Sequence, residues 1–478
     1  MKQTATRRIA WANAPVGPVI GVAPGPDATP AAASADLPRL DPMPASAEEE
    51  AIALLRIAAE VEGALVPQYL FTAGSLIPGV STQLPGFDHA IQSDDWYDVM
   101  RVLAKQEMGH LITLQNLLLS LGSTPHLDRE NFPTTSPLYP FPFSLQPLRL
   151  ATIARYVCAE APRNVAAADQ PDLAAAQREA KAGDGQMPRA GQIYERLFYL
   201  FQDSNTPQDP WPDLQNPFPH WPDWHVDPAK LGFNQDRQAT AAEWRGQGND
   251  EPPDTAIYVL PIRDKASARV AIHALGIQGE GPIGNGGVTH FDKCLRIFRE
   301  LRAVGQQQGA PAFVRNQADD PRTGLGGNAT ISHPTTLVWA KLGNARYQML
   351  LTDIALSLSV GSTGTIASVQ ATRADVLGWA FREMLANIKP LSEELRQMPL
   401  TGEAGAALAG LPFELPEQAL PTDTAAQIVY LRDRVAESIQ LRVQIQTALN
   451  PSPKQKGILK VIDNLDVIMS RKFGAAAA

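Results

Sequence analysis

The stretch LAKQEMGHLITLQNLLLSL, residues 103–121, carries a glutamate and a histidine inside a run of apolar side chains. Its leucines recur at steps of three and four residues, the spacing of one face of an α-helix, and Glu107 and His110 fall on that same face. A buried carboxylate without a counter-charge is costly, and a bound cation keeps it ionised. Residues three apart on a helix lie one turn from each other, so both side chains can reach a single ion. The stretch therefore predicts a buried helix that supplies two ligands to a metal ion.

The rest of the chain predicts a mainly α protein with long irregular insertions. Periodicity, caps and breakers predict helices from about Ser46 to Pro78, Ser93 to Gly122, Gln146 to Glu160, Gly191 to Gln202, Asp264 to Gly279, Thr289 to Val304, Asn344 to Val360, Ala371 to Gln397, Thr424 to Leu449 and Ser452 to Lys472. Pro67 is expected to kink the first of these helices. The proline-rich segment 203–227 predicts an irregular covering loop. We expect its His220 and His225 to pack in the loop or lie on the surface, with a role as extra ligands as the alternative.

Three regions follow from this pattern. Residues 1–44 are rich in Ala, Pro and Gly and predict a disordered or extended tail. Residues 45–400 predict a metal-binding helical domain, and residues 401–478 a linker followed by a C-terminal helical pair. The extra helices at the C-terminus have no role that the sequence reveals.

Composition excludes several classes of function. The net charge of −9 and the pI near 5.5 argue against nucleic acid or an anionic membrane as a partner, because phosphate binding needs clustered Lys and Arg. No uncharged apolar stretch of about 18 residues occurs, and no apolar export signal follows Arg7 and Arg8. Cys158 and Cys294 do not suggest a disulfide framework. We therefore expect a cytoplasmic protein.

Further acidic and imidazole groups lie on other apolar helical faces. Glu62 shares the inward stripe of the first helix with Tyr69, and Glu280 ends the helix that precedes the glycine-rich segment 281–287. His290 begins the next helix. Glycines permit a loop to bulge out, which would make Glu280 and His290 equivalent to a second Glu-x-x-His pair.

The sequence leaves open which of three residues supplies the remaining ligand. Glu195 in GQIYERLFYL (191–200) is the preferred choice, with Gln192 and Glu160 as alternatives. A carboxylate from each of two helices, plus a Glu and His pair from each of two others, is the ligand set of carboxylate-bridged di-iron bundles. Mixed oxygen and imidazole ligands suit iron or manganese. The sequence therefore predicts a non-haem site with two irons, with manganese and a mononuclear site as alternatives.

Two nearby residues are predicted to support this site, and one later motif predicts no site. Tyr69 is expected to donate a hydrogen bond to a ligand. His273, two turns before Glu280, is expected to be a hydrogen-bonding partner of the site or a hydrogen-bonded core histidine, with a role as a ligand as the less favoured alternative. A later helix repeats the Glu-Met pair at Glu383, but Ala386 stands where the histidine would be. No second metal site is predicted there.

Four stretches resemble the ferritin-like domain of the iminophenyl-pyruvate dimer synthase family, over roughly Ala47 to Leu400. They are LLRIAAEVEGALVPQYL (54–70), LAKQEMGHLITLQNLLLSLGSTPHLDRENFP (103–133), IQGEGPIGNGGVTHFDKCLRIFRELR (277–302) and NARYQMLLTDIALSL (344–358). On this resemblance the motif positions fall on Glu62, Glu107, His110, Glu280 and His290. Gln192 and Gly63 depart from the family pattern, standing where an acid and a histidine are common. The resemblance implies a ferritin-like helical bundle.

The predicted function is a metal-dependent oxidoreductase: a non-haem iron oxygenase or oxidase that uses dioxygen on a small amino-acid-derived metabolite in secondary metabolism. The resemblance implies a variant, oxidative coupling of imine forms of aromatic amino acids, which needs an amino-acid oxidase as partner to supply the imine. A ferroxidase or iron store without organic substrate is an alternative, and so is a structural bundle with a vestigial site. The sequence leaves open the substrate, the product and whether the chain forms a homo-oligomer.

Overall fold

The computed structural model describes residues 8–10, 39–41, 44–134, 141–162, 164–181, 190–201, 226, 228, 235–244, 256–280, 288–324 and 329–474. For 8–10, 39, 41 and 280 it describes the backbone alone. Most of the predicted N-terminal tail and nearly all of the predicted covering loop lie outside these ranges. The expectations for His220 and His225 therefore lie outside the described residues.

Helices dominate the described part of the chain. They are α1 (Ala47–Gly74), α2 (Ser93–Ser120), α3 (Leu150–Ala159), α4 (Gln170–Ala180), α5 (Ala190–Phe201), α6 (Ala241–Trp244), α7 (Lys265–Glu280), α8 (His290–Gln306), α9 (Pro334–Ser357), α10 (Arg373–Arg382), α11 (Lys389–Leu395), α12 (Thr424–Ala448) and α13 (Pro453–Phe473). The strands form short antiparallel pairs: β1 (Arg8–Ala10) with β2 (Arg39–Asp41), β3 (Ser81–Thr82) with β4 (Ile91–Gln92), and β5 (Thr365–Ile366) with β6 (Ala371–Thr372). The prediction of a mainly α protein is confirmed.

The first bundle is built around α1 and α2, which pack along their lengths and are joined through the β3–β4 hairpin. Helix α5 packs on α1 and α7, and α3 packs on α8. The buried sides of α1 and α2 are mainly apolar, which drives their association. Their few buried acidic and imidazole groups therefore face the interior between these helices.

Local sequence signals explain several helix ends and shift others. The Ser46 side chain accepts a hydrogen bond from the Glu49 backbone and caps α1, and Thr289 and Asp292 form a capping box that starts α8. Helix α2 begins at Ser93 itself, and Gln92 precedes it without a side-chain cap. Helix α1 continues through Pro67, which is buried inside it.

A second bundle consists of α9, α10, α11, α12 and α13. Helix α9 packs on α10 and α12, and α13 packs on α12 and on the segment between α10 and α11. That segment, Glu383–Ile388, is a π-helical turn, so the long helix predicted from Ala371 to Gln397 is divided in three. The core of the second bundle contains apolar side chains from these helices, among them Met349, Leu356, Val376, Trp379, Leu431, Val435, Leu465 and Met469.

No helix among the residues described is both long and apolar enough to cross a membrane.

Candidate metal centre

Three carboxylates and two histidines meet inside the first bundle. Glu62 comes from α1, Glu107 and His110 from α2, Glu160 from the C-cap of α3, and His290 from the first position of α8. None of these residues is more than 3% exposed. They form two groups, Glu62–Glu107–His110 and Glu107–Glu160–His290, and within each group one ligand atom per residue lies within 4.8 Å of the others. Glu107 belongs to both groups, as a carboxylate that bridges two ions would.

The distances place one histidine at each oxygen of Glu107. His110 Nδ1 lies 2.9 Å from Glu107 Oε2 and 3.5 Å from Glu62 Oε2. His290 Nδ1 lies 3.0 Å from Glu107 Oε1 and 3.7 Å from Glu160 Oε2. The two imidazole rings are stacked with their centroids 5.6 Å apart. The candidate ligands therefore form two groups, one on each side of the Glu107 carboxylate.

Several buried atoms of this cluster have no hydrogen bond within the described part of the chain. They are Glu62 Oε2, Glu107 Oε1 and both ring nitrogens of His290. Two atoms held about 2.1 Å from one ion at a right angle lie about 3.0 Å apart, close to the 2.9 and 3.0 Å between the Glu107 oxygens and the two histidine Nδ1 atoms. The groups line a cavity of about 10 Å³, close to the least space that holds one water-sized particle. The donor set, the unbonded atoms and the space fit metal ions.

The pKa values of Glu62, Glu107 and His110 also indicate that the buried carboxylates are stabilised by positive charge. Burial and the charge of Glu107 raise the pKa of Glu62 well above its usual range. Burial acts on Glu107 in the same direction, but His290 and His110 outweigh it and hold its pKa well below its usual range. Burial disfavours a charged His110, yet the neighbouring carboxylates of Glu107 and Glu62 raise its pKa to about 10. Protons on imidazole thus balance the carboxylates when no cation does, and a divalent cation would displace them.

A glutamine of α7 holds the His110 ring in place. Gln278 of α7 accepts from His110 Nε2 through Oε1 at 2.8 Å, and its own amide nitrogen donates to the Ala256 carbonyl at 3.0 Å. The amide orientation places the proton of neutral His110 on Nε2. The lone pair of Nδ1 is then directed at Glu62 and Glu107, as a metal ligand requires.

Two tyrosines hold the terminal carboxylates. Tyr194 of α5 donates to Glu62 Oε1, and Tyr69 of α1 donates to Glu160 Oε1 at 2.5 Å. Each tyrosine leaves the second oxygen of its carboxylate to the cluster. Gly279 allows Glu160 to approach α7, because a Cβ at that position would lie 3.4 Å from Glu160 Oε2.

The segment 256–260 packs against α2 at Gly109. A Cβ at this position would lie 2.8 Å from the Tyr258 carbonyl oxygen and 2.9 Å from Ile257. The segment 256–260 can therefore lie directly on α2. From there Ala256 accepts the hydrogen bond of Gln278.

The structure brings four of the predicted ligands together: Glu62, Glu107, His110 and His290. Tyr69 contacts the cluster through Glu160. Glu195 does not line the cavity, and Glu160, an alternative in the sequence, contributes the remaining carboxylate instead. The reason is the direction of α5, which points Tyr194 rather than Glu195 at Glu62. Metal binding by these side chains stays a prediction.

Two further expectations have different outcomes. His273 does not line the cavity; its ring packs edge-on against Phe198, with centroids 6.4 Å apart. Glu280 ends α7 as predicted, but its side chain lies outside the described residues. The sequence reasoning missed Tyr194 and Gln278. The sequence offered one signal for each residue: Tyr194 is adjacent to Glu195, and Gln278 lies two residues before Glu280.

The chain is similar to a known family and to individual known proteins. The sequence is 26% identical over 470 residues to dichlorochromopyrrolate synthase of Lentzea aerocolonigenes, covering 89% of this chain and 41% of that protein. The chain thus spans about two fifths of the length of this relative. A ferritin-like protein of Caulobacter vibrioides is 17% identical, with a TM-score of 0.38, over 70% of this chain and 94% of that chain. The profile of the family described as Ferritin-like matches residues 55–299, just over half of the chain and the part that contains all five residues of the centre. The chain therefore belongs to the ferritin-like family.

Proposed function

We propose that the chain is a non-haem iron oxidoreductase with two irons, which uses dioxygen to oxidise a small amino-acid-derived metabolite. The observation that carries the proposal is the pair of ligand groups that share Glu107, each with its own histidine and its own second carboxylate. Mixed carboxylate and imidazole ligands favour iron or manganese. Membership of the ferritin-like family supports iron.

The residues around the centre have separable tasks in this proposal. Bound iron would supply the redox chemistry with dioxygen that side chains lack. Tyr194 and Tyr69 orient Glu62 and Glu160 through their hydroxyl protons. Gln278 fixes the ring of His110, so the lone pair of Nδ1 stays directed at the cluster. The burial of all five ligands keeps bulk water away from the reacting atoms.

Anaerobic titration with ferrous iron tests the proposal. We expect two irons per chain in the wild type and a loss of both in Glu107→Gln, because the shared carboxylate serves both groups. Exposure to oxygen with candidate metabolites should then give an oxidised organic product. Absence of stoichiometric iron, or equal iron binding in Glu107→Gln, contradicts the proposal. Rapid oxidation of many ferrous ions per chain without any organic substrate would favour the ferroxidase alternative.

A more specific candidate is oxidative coupling of imine forms of aromatic amino acids. The likeness to dichlorochromopyrrolate synthase favours it. The imine is unstable in water, so an amino-acid oxidase would have to supply it as a partner. Co-incubation of iron-loaded protein, such an oxidase and an aromatic amino acid should give a coupled product, detected by mass spectrometry. The same product at the same rate with Glu107→Gln would refute this candidate.

A further inference from the structure

A second pocket lies beside the metal centre, on the other side of Leu65. This outer pocket is formed by α1, α3 and the segment 141–146, and it opens to solvent at the exposed Pro142. Leu65 lines both the outer pocket and the cavity of the metal centre. Ala159 of the outer pocket is adjacent in sequence to the candidate ligand Glu160. The outer pocket is therefore a direct neighbour of the proposed iron site.

The walls of the outer pocket are mainly aromatic and apolar. Phe141, Phe143 and Tyr156 line it together with Leu65 and Ala159. Such walls suit a flat apolar ligand, because aromatic rings pack on one another in offset or edge-on contacts. The enclosed space is about 10 Å³, close to the least that holds one water-sized group. A larger ligand would therefore place one small end inside the pocket and the rest at its mouth.

Three polar side chains of the outer pocket already have partners within the protein. Gln68 Oε1 accepts from the Ser144 backbone at 3.4 Å, and Ser144 Oγ donates to Asp320 at 2.6 Å. Thr152 Oγ1 donates to the Pro147 carbonyl at 2.8 Å. These groups do not need a ligand.

Arg155 differs from them, because one side of its guanidinium has no partner. Nη1 donates to Gln146 Oε1 at 2.9 Å, and the guanidinium carbon lies 5.5 Å from the centroid of the Phe141 ring. Nε is buried and makes no hydrogen bond within the described part of the chain. Nε and Nη2 together form a planar fork that can bind both oxygens of one carboxylate. The outer pocket thus holds an unused receptor for an anion.

The charge of Arg155 is also available to a ligand. Among the residues that the structure describes, Arg155 forms no ion pair with an acid. The acids of the neighbouring elements have other partners: Asp319 pairs with Arg149, Asp320 accepts from Ser144 and Glu160 accepts from Tyr69. A ligand carboxylate would therefore meet a guanidinium that no protein carboxylate neutralises.

We propose that the outer pocket binds the carboxylate of the organic substrate, an aromatic acid, through the Nε and Nη2 fork of Arg155. The aromatic part of the acid packs against Phe141 and Phe143. Because Leu65 stands between the outer pocket and the metal cavity, the pocket recognises the substrate beside the centre rather than holding it during the reaction. This inference rests on the proposed function, since it names the class of its substrate: an aromatic acid that keeps the carboxylate of the parent amino acid.

Calorimetric titration of the whole, iron-free chain with 3-phenylpropionate and with its neutral amide tests the inference, because the acid then has no iron to bind. We expect the acid to bind more tightly than the amide. Arg155→Gln should lose about 10–100-fold in affinity for the acid, as expected for hydrogen bonds to a charged group. Arg155→Lys should recover only part of this loss, because an ammonium group lacks the planar fork. Arg149→Gln is the matched control and should bind the acid as the wild type does, since Arg149 is already paired with Asp319.

Several results would overturn the inference: equal affinity of the wild type for acid and amide, unchanged affinity in Arg155→Gln, full affinity in Arg155→Lys, or an equal loss in Arg149→Gln. Displacement of the acid by equimolar inorganic phosphate would assign the pocket to small anions and overturn it as well. The comparison of acid with amide uses the wild type alone, so it decides the question even if Arg155→Gln does not fold. The two proposals fail separately, because acid binding is measured without iron and iron stoichiometry without acid.

Discussion

Replacement of Gln278 by leucine should weaken metal binding without touching a ligand. The change removes the acceptor of the 2.8 Å hydrogen bond from His110 Nε2, and the ring loses the contact that orients it. A buried donor left unpaired costs about 1–3 kcal/mol, and loss of such an outer partner lowers metal affinity about 10–100-fold. A tenfold loss of metal affinity corresponds to about 1.4 kcal/mol, so the range of affinities and the range of free energies overlap.

Gln106→Leu is the matched control for this experiment. Gln106 is also a glutamine whose side chain donates to the Ala256 carbonyl at 3.0 Å, and its side-chain oxygen accepts from Lys293 Nζ at 3.2 Å. Anaerobic calorimetric titration with ferrous iron should show the loss of affinity in Gln278→Leu alone. Equal affinity in the wild type and Gln278→Leu, or an equal loss in both variants, would refute the role of this hydrogen bond.

Three further predictions address other parts of the centre. Glu160→Gln should remove iron from the His290 side of the centre, while Glu195→Gln should keep full stoichiometry by elemental analysis; the opposite result would restore Glu195 as the ligand. Gly109→Ala should destabilise the protein by about 1–3 kcal/mol in urea unfolding, because the added methyl group would clash with the Tyr258 backbone. Gly63→Ala is the control: a Cβ at position 63 has no atom within 4 Å, so this variant should be neutral or stabilising. The pKa of His110 in the folded protein, about 10, exceeds its ordinary 6.5, so protonation of His110 stabilises the fold of the metal-free protein. This contribution to the free energy of unfolding should be complete below pH 6.5 and be lost as pH rises toward 10. A free energy of unfolding that does not change with pH, or the same slope in His110→Ala, would contradict this prediction.

The sequence by itself determined most of the helices and the residue types of the candidate site, but it did not predict α4, and α9 begins at Pro334, ten residues before its predicted start. Apolar periodicity placed α1 and α2 within a few residues of their observed bounds, since burial of one helical face is a local pattern along the chain. The same pattern identified Glu107 and His110, because a charge within a buried stripe is visible without a structure. Family resemblance and ligand chemistry together indicated the ferritin-like bundle.

Only the tertiary structure decided which side chains from different helices meet. Glu160 and Glu195 are both carboxylates on short helices. Which of them joins the cluster depends on the rotation of α3 and α5 against α1. A rotation of one residue, about 100° around the helix, exchanges Tyr194 for Glu195. Sequence periodicity over a helix of 12 residues that is buried on all sides cannot specify that angle.

The second bundle illustrates the same limit. Glu383-Met384 was visible in the sequence, and the missing histidine predicted no metal site like the first. That Arg346 fills the core opposite Glu383 depends on packing of α9 against the π-helical turn. The contact joins residues 37 positions apart, and such pairings arise from the whole fold rather than from local pattern.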